Sequence, residues 1–438
     1  GLTFGKSSMV MNTDHSGSVI SPHTSAMETG FYRGAALSFG KKKINATLFF
    51  SYKPEDASLT PVDSTKNYFK TFQSSGYHRS ETELKNKGSV KLFSTGGSLR
   101  YDFRQGHIAI NTVYHSFSDS MKHSTQWYNL YGQEGKDMLN VSLDYALFLR
   151  QLYFFGETAA NKAGTLATVN GIMMSVDPRV DVSLLYRNYS KAYTSLYATG
   201  FAESAHPQNE NGFYAAIALR PKNKWQINAY ADIFSFPWLR YRVDAPSAGK
   251  DYLVQTAFTP SKKFSAYLRF RDKQKSLNLL KEDPMADIVT THKKSLRFQS
   301  EWKYSQSLSF RNMAELSSFR GGNSPVSYGY FVAQDLIWKA NRIFSGNYRI
   351  AWFKTDGFDT RIYAFENDVH YAYSIPSFYG NGIRSYANFR INLTQKLSLW
   401  TKVSRTWYFN QQTIGSGWDE IQGNKRTNVT LEMIYGFK

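Results

Sequence analysis

The sequence contains no cysteine and no long apolar run, and each absence excludes a class of structure. Without cysteine, disulfides and thiolate metal sites are excluded. The densest apolar stretch, residues 145–155, is interrupted by Arg150 and Gln151, whereas a transmembrane helix needs about 18 or more consecutive apolar residues. The low mean hydropathy of −0.46 agrees with this. A helical membrane protein is therefore excluded.

Acidic residues are scarce relative to basic ones, 34 against 53, which gives a net charge of +19. Such an excess creates a positive field over part of the surface. Three interpretations remain open: basic side chains that contact anionic lipopolysaccharide or headgroups, an anion-selective lumen, and a path for nucleic acid. Many of the charges fall in turn-like segments, which favours contact with the membrane surface.

What the chain does have is period-two alternation, rich in the aromatic residues that make up 16% of the sequence. Within residues 263–271, Phe264, Leu268 and Phe270 fall on one side of an extended chain, and polar residues fall on the other. The same alternation recurs in segments 44–53, 225–233, 383–393 and 428–437. Strands of this kind can turn the apolar face to lipid while the polar face lines a lumen.

Short turn-like segments alternate with long polar ones along most of the chain. The short ones carry Gly, Pro, Asn, Asp or Lys, as hairpins require, at 40–43, 104–107, 176–180, 220–224, 259–263, 339–342 and 394–396. The long ones are 54–86, 119–137, 191–210, 235–250, 275–291 and 409–424. We therefore predict an all-β fold: a transmembrane antiparallel β-barrel of about 20–22 strands, with short periplasmic turns and long extracellular loops.

This prediction treats residues 1–438 as one barrel domain in the bacterial outer membrane, because no linker or shift in composition divides the chain. The strand count includes Gly1–Met9 as a strand and places a turn near Asn367–Asp368. The last segment, 428–437, ends in aromatic residues and resembles the C-terminal signal that barrel-assembly machinery reads.

No motif for catalysis or metal binding is present. The nine histidines have no metal-binding spacing, and no Gly-x-Ser-x-Gly elbow occurs. A hydrolase could still assemble Ser, His and an acid from neighbouring inward positions, with His107, His115 and His370 as the strand-borne candidates. Such residues are more often polar groups of a lumen or girdle, so we expect no enzyme, cofactor or metal.

The most distinctive loop is 415–424, just before the last strand, whose glycines permit a tight fold. Trp418, flanked by Asp419 and Glu420, is a candidate for a ligand contact or a plug that reaches into the lumen. The alternative is a loop packed for stability, which this pattern favours.

Six short blocks form an ordered pattern at the two ends of the chain: 1–8, 20–25, 31–36, 361–369, 374–382 and 415–424. Together they resemble the barrel portion of Bacteroidota outer-membrane proteins that carry a helix-hairpin-helix domain ahead of the barrel. The resemblance implies a helical region and further strands upstream, so the barrel formed by these residues alone would be incomplete. It also leaves DNA uptake open, although no helix-hairpin-helix module lies in this chain.

The expected function is a passive or gated conduit for solutes with a partly basic lumen. The expected basic lining consists of Arg269, Arg271, Arg384, Arg390 and Lys402, and loops 54–86 and 119–137 are expected to constrict the mouth. The alternative is a non-conducting barrel that scaffolds an envelope complex for protein secretion, surface-lipoprotein handling or DNA uptake. Expected partners are outer-membrane lipid and lipopolysaccharide, with envelope proteins in the second case.

Overall fold

The computed structural model describes residues 6–14, 19–25, 27, 29–62, 67–278 and 288–437. Strands account for 63% of the structure. In chain order they are β1 (Gly34–Lys41), β2 (Ile44–Glu55), β3 (Thr60–Pro61), β4 (Asn67–Phe69), β5 (Val90–Phe103), β6 (Gly106–Met121), β7 (Gly135–Leu149), β8 (Leu152–Asn161), β9 (Leu166–Asp177), β10 (Val180–Tyr189), β11 (Glu210–Lys222), β12 (Trp225–Phe236), β13 (Ser247–Ser261), β14 (Phe264–Asn278), β15 (Ile288–Lys303), β16 (Leu308–Gly321), β17 (Ser327–Lys339), β18 (Phe344–Thr355), β19 (Ile362–Tyr363), β20 (Ser377–Phe378), β21 (Asn381–Asn392), β22 (Leu397–Tyr408), β23 (Thr413–Ile414), β24 (Ile421–Gln422) and β25 (Lys425–Tyr435).

Within the described residues, helical structure is confined to the connections. One helix, α1 (Glu81–Asn86), lies between β4 and β5, and three short 3-10 turns cover Trp127–Asn129, Phe358–Thr360 and Gly417–Asp419. No helix in the described part of the chain is long and apolar enough to cross a membrane.

A single sheet contains 21 of the described strands, and about 19 of these are long. Strands that follow one another in the chain pair antiparallel, as in β5–β6, β7–β8, β15–β16 and β17–β18. The short strands β19–β20 and β23–β24 form two separate ribbons. This up-and-down order confirms the predicted antiparallel architecture.

Tight turns join the strands at one rim, and long connections join them at the other. One tight turn lies inside the apolar stretch 145–155, where Leu149 pairs with Leu152 and Arg150 adopts a φ of +57°. Left-handed backbone of this kind suits a two-residue hairpin. The polar dipeptide Arg150–Gln151, which interrupts the apolar stretch, is therefore a periplasmic turn. This turn was not among those predicted from the sequence.

The alternation predicted from the sequence is confirmed on strands such as β2 and β12. On β12, Trp225 and Ile233 are exposed, whereas Tyr230 and Asp232 are buried. On β2, alternate residues such as Leu48 are exposed and Ser51 is buried. Large apolar side chains thus cover the outer face of the strands, which we call the lipid face, and polar side chains lie on the opposite, inward face.

Two compact units share the strands. Of the described residues, the first comprises those within 6–218 and 230–250 together with Ile288, and the second those within 219–229, 251–278 and 289–437. Each unit has its own apolar cluster on the inward face. In the first, loop residues Ala57 and Phe69 pack on strand residues such as Leu92 and Phe117; in the second, Ile362 and Phe378 pack on Phe331 and Phe353.

Two local predictions are wrong. Residues Lys6–Met9 form no strand, and the rest of the predicted strand Gly1–Met9 lies outside the described residues. Asn367 and Asp368 do not form a tight turn between two wall strands; they belong to the long connection 356–380 between β18 and β21. In both places, inward-facing contacts hold the chain in irregular backbone, and a period-two pattern does not report such contacts.

Candidate functional site on the inward face

Ion pairs join neighbouring strands along the inward face of the second unit. Arg271 on β14 donates to both carboxylate oxygens of Asp251 on β13, at 2.8 and 2.5 Å. Arg297 on β15 pairs with Glu315 on β16. Four residues further along the same strand pair, Arg311 on β16 contacts Glu301 on β15 at 3.1 Å. Acidic and basic side chains therefore alternate across the strands.

The most buried pair of this series lies one strand further along. Arg349 on β18 donates through two nitrogens to Asp335 on β17, and both side chains are almost completely buried. A third nitrogen of Arg349 donates to the backbone oxygen of Phe365 at 2.6 Å. Because Phe365 lies in the 356–380 connection, the pair also fixes that segment, which we call the inward loop.

The inward loop carries its own carboxylates to the strand wall. Arg384 on β21 donates to both oxygens of Glu366, at 2.7 and 2.9 Å. Lys402 on β22 lies 2.8 Å from Asp368 and 3.4 Å from Glu366. Glu366 is completely buried, and a buried charge is tolerated only when it is paired and hydrogen-bonded. The loop is therefore anchored by charge as well as by its apolar cluster.

The structure places the five arginines and lysines predicted to line the lumen in three different settings. Arg271, Arg384 and Lys402 face inward and share their charge with the acids named above. Arg269 lies with its guanidinium 5.9 Å from the ring of Tyr267. Arg390 is exposed, contacts Asn392 and lies 5.1 Å from the ring of Trp400. A lumen lining of basic side chains without acidic partners therefore stays a prediction. The acidic side chains of the inward face were not predicted from the sequence.

A second charge cluster lies on the inward face of the first unit. Arg187 on β10 donates to Asp232 on β12 at 2.7 and 3.0 Å and to Glu210 on β11 at 2.7 Å. All three side chains are completely buried. The ammonium group of Lys6 contacts Asp232 at 2.7 Å and Glu203 at 2.5 Å. An irregular N-terminal segment, residues 6–14, is therefore held against these strands by its first described residue.

Further contacts extend along this N-terminal segment. The backbone oxygen of Val10 accepts from the hydroxyl of Tyr214 at 3.0 Å, and Thr13 contacts Ser183 at 2.9 Å. Asp14 accepts from Tyr153 at 2.6 Å. A cavity of about 550 Å³ lies beside the segment, lined in part by Arg100, His107, Asp144 and Glu157. These charged side chains share the cavity wall with apolar ones such as Phe155 and Val169.

The three histidine candidates do not converge on one site. His107 contacts Asp144 at 3.1 Å, on the inward face. His115 contacts the hydroxyl of Ser94 at 2.8 Å, but both residues are fully buried. His370 lies in the inward loop rather than on a strand, beside Trp400, which corrects its predicted position. Among the described residues, no group of three or more His, Asp or Glu side chains could hold a metal ion.

The loop 415–424 places its three candidate residues at the surface. Trp418 is 77% exposed and sits in the 3-10 turn Gly417–Asp419 beside Glu420, which accepts from Gln422 at 2.6 Å. Ile414, just before the loop, is the buried residue of this region. The indole therefore does not pack for stability, and it remains a candidate for contact with a ligand or partner.

Of the two loops expected to constrict the mouth, 54–86 folds over inward residues in the first unit. Its residues Ala57, Phe69 and Phe72 pack on Phe117 and on Tyr197 of the 190–209 connection. In loop 119–137, Trp127 stays 73% exposed and its backbone oxygen accepts from the indole of Trp238. The inward loop 356–380, which bears the ion pairs, was missed. Asp251, Glu315 and Asp335 occupy inward-facing positions in the period-two pattern of their strands. The acidic side chains of the wall could have been predicted from these positions.

No family model and no curated protein matches this sequence. Among solved structures, it is similar to a chain of the FpvAI–pyocin S2 complex, with a TM-score of 0.50 and 11% identity over 91% of this chain and 62% of that one. It is also similar to the ferric yersiniabactin uptake receptor FyuA of Yersinia pestis (0.43, 9%, 91% and 68%) and to an anion-selective porin of Comamonas acidovorans (0.38, 7%, 90% and 100%). At such identities the likeness concerns the fold alone.

The lipid face, the up-and-down strand order and the asymmetric connections decide the fold class. In a bilayer, strands can satisfy their backbone groups only in a closed sheet. Tight turns at one rim and long loops at the other are typical of bacterial outer-membrane barrels. The protein is an outer-membrane β-barrel.

Proposed function

We propose that the protein is a conduit for hydrated solutes across the outer membrane, with the inward loop 356–380 as its constriction. The observation that carries this proposal is the anchoring of Glu366 and Asp368 to Arg384 and Lys402. A loop held on the inward face by charge narrows the path and fixes the field that a passing ion meets.

The paired charges support a conduit with balanced rather than purely basic walls. Pairs such as Arg271–Asp251 and Arg311–Glu301 present both signs on the inward face. Opposite charges on facing groups create a transverse field, which orients polar solutes and screens the excess positive charge. We therefore expect weak anion preference in the native protein.

Reconstitution in planar bilayers under a salt gradient tests the conduit. The variant with Glu366→Gln and Asp368→Asn removes the two loop carboxylates and leaves Arg384 and Lys402 unneutralised. We expect stepwise conductance from the native protein and a severalfold rise in chloride over potassium permeability in the variant. Asp359→Asn removes a negative charge from an exposed position of the same loop and should leave selectivity unchanged.

Absence of conductance steps from protein whose folding is verified by heat-modifiable gel mobility would overturn the conduit. That result would favour the scaffold alternative, because a scaffold requires no open path. Equal selectivity in the native protein and in the double variant, with steps present, would instead remove the inward loop from the conduction path. These two outcomes therefore test the conduit and the assignment of its constriction independently.

A further inference from the structure

The lipid face of the first unit carries a patch of polar side chains on four neighbouring strands, β7 to β10. Tyr145 on β7 donates to Asn170 on β9 at 3.0 Å, and Asn170 donates to Thr168 at 2.9 Å. Thr168 contacts Thr158 on β8 at 2.8 Å. On β10, Asn188 donates to Tyr186 at 3.4 Å. We call these six residues the polar patch.

Strand register places the polar patch in the half of the lipid face nearer the extracellular ends of β8, β9 and β10. One row runs through Tyr145, Gly156, Asn170 and Tyr186, and the next through Leu143, Thr158, Thr168 and Asn188. Apolar rows flank it on both sides: Leu147, Phe154, Ile172 and Leu184 toward the periplasmic turns, and Val141, Ala160 and Leu166 toward the extracellular loops. One apolar row therefore separates the patch from the extracellular turn between β8 and β9.

Gly156 leaves space for side chains of the polar patch to lie against the strands. A Cβ on Gly156 would meet the backbone oxygen of Val169 at 2.8 Å and the ring of Tyr145 at 3.0 Å. Glycine at this position leaves room for the amide of Asn170 and the ring of Tyr145 to cross the strand. Since Thr158 and Asn188 are exposed, a flat, hydrogen-bonding surface faces outward.

Lipid tails cannot hydrogen-bond, so polar groups exposed to them carry a cost that a protein partner removes. Asparagine has two donors and an acceptor oxygen, and hydroxyls both donate and accept. The contacts described above use one N–H of each asparagine, so donors and acceptors remain for a partner. No charged side chain belongs to the patch, and every one of its six members can act as a donor.

We propose that the polar patch is an intramembrane interface between two copies of this chain. A surface made of uncharged groups that both donate and accept is complementary to itself. A two-fold axis brings the same surface of two copies together, residue to like residue near the axis. Contact through Thr158, Thr168 and Asn170 would then join the lipid faces of β8 and β9 of the two copies. The small side chains of Thr158 and Thr168 permit close approach of the strands.

Cysteine cross-linking in bilayers tests this interface, because the chain has no cysteine of its own. Thr158→Cys in the otherwise native protein should give an oxidation-dependent dimer band of double mass. Leu296→Cys, on the exposed lipid face of β15, should stay monomeric under the same conditions. This test needs no disruption of the patch and is independent of conductance.

A second variant tests the chemistry of the contact. Thr158→Val, Thr168→Val and Asn170→Leu together should shift the protein from dimer to monomer in native mass spectrometry and light scattering. Thr112→Val makes the same change at an exposed site on β6 outside the patch and should leave the dimer intact. A monomeric native protein with no cross-link at Thr158 would overturn the proposal, as would recovery of a different protein cross-linked at Thr158.

Discussion

Gly212 on β11 lies against the guanidinium group of Arg187. A Cβ at this position would meet the two terminal nitrogens of Arg187 at 2.6 and 2.7 Å. Those nitrogens are held by Asp232, so the side chain cannot swing away without losing buried hydrogen bonds. Glycine at position 212 is therefore required by packing on the inward face.

Gly212→Ala should destabilise the barrel by about 1–3 kcal/mol, the usual cost of overpacking a filled interior. Equilibrium unfolding in urea, followed by tryptophan fluorescence in detergent, measures the effect. Gly357→Ala is the matched control, because a Cβ there would have no neighbour within 4 Å. Equal stability of the two variants would mean that Arg187 can move without cost.

Lys6 should be essential to the seating of the N-terminal segment. Lys6→Ala leaves Asp232 and Glu203 without their ammonium partner, and breaking a buried pair from one side costs about 3–5 kcal/mol. The same change in the exposed pair of Lys162 and Asp137 should leave stability almost unchanged, because water screens an exposed pair. Urea unfolding compares the two variants.

Limited proteolysis distinguishes a released segment from a globally weakened barrel. In Lys6→Ala we expect cleavage within residues 6–14 at protease concentrations that leave the strands intact. Resistance of this segment, together with native stability, would show that Lys6 is not what holds it.

The wall of this barrel could be predicted from the sequence, but what lies on its inward face could not. Alternation on β12 and β21 follows from a two-residue period and from the cost of charge in lipid, both local properties. The anchoring of Glu366 by Arg384 joins residues of different elements, and nothing in the spacing of either residue reports it. Lys6 lies 226 positions from Asp232, which illustrates the same limit.

The polar patch was missed for a different reason. On β9, Thr168 and Asn170 interrupt an otherwise apolar face, so the alternation rule assigns that segment no clear direction. Only the register with β8 and β10 shows that these residues share one surface. Interruptions of the lipid-face pattern were therefore a usable signal, but their neighbours across the sheet were not available from the sequence.

A charge on the lipid face should be costly in proportion to its depth. Val332→Arg on β17, which replaces a 53% exposed side chain on this face, should destabilise the barrel by about 2–4 kcal/mol, whereas Tyr328→Arg near the rim of the same strand should cost about 0–1 kcal/mol. Unfolding by urea in lipid vesicles measures both. Equal costs at the two depths would contradict the assignment of this face to lipid.

Helix α1 in the first long loop should be sensitive to acid. The Arg79 side chain and backbone donate to Glu83 and lower the pKa of its carboxyl from 4.5 to about 2. Because the folded pKa lies below the unfolded one, the stabilisation is complete above pH 4.5 and is lost as the pH falls toward 2. The protection of the α1 amides against hydrogen exchange, relative to the intrinsic exchange rate at each pH, should therefore fall over that range.

Glu83→Gln should remove this part of the pH dependence, since glutamine does not titrate. Its α1 amides should exchange faster than those of the native protein at neutral pH, and the two should converge at low pH. Arg79→Met should act in the same direction, because it removes the side-chain donor but keeps the backbone one. An unchanged acid response in Glu83→Gln would assign the response to another carboxyl of the loop.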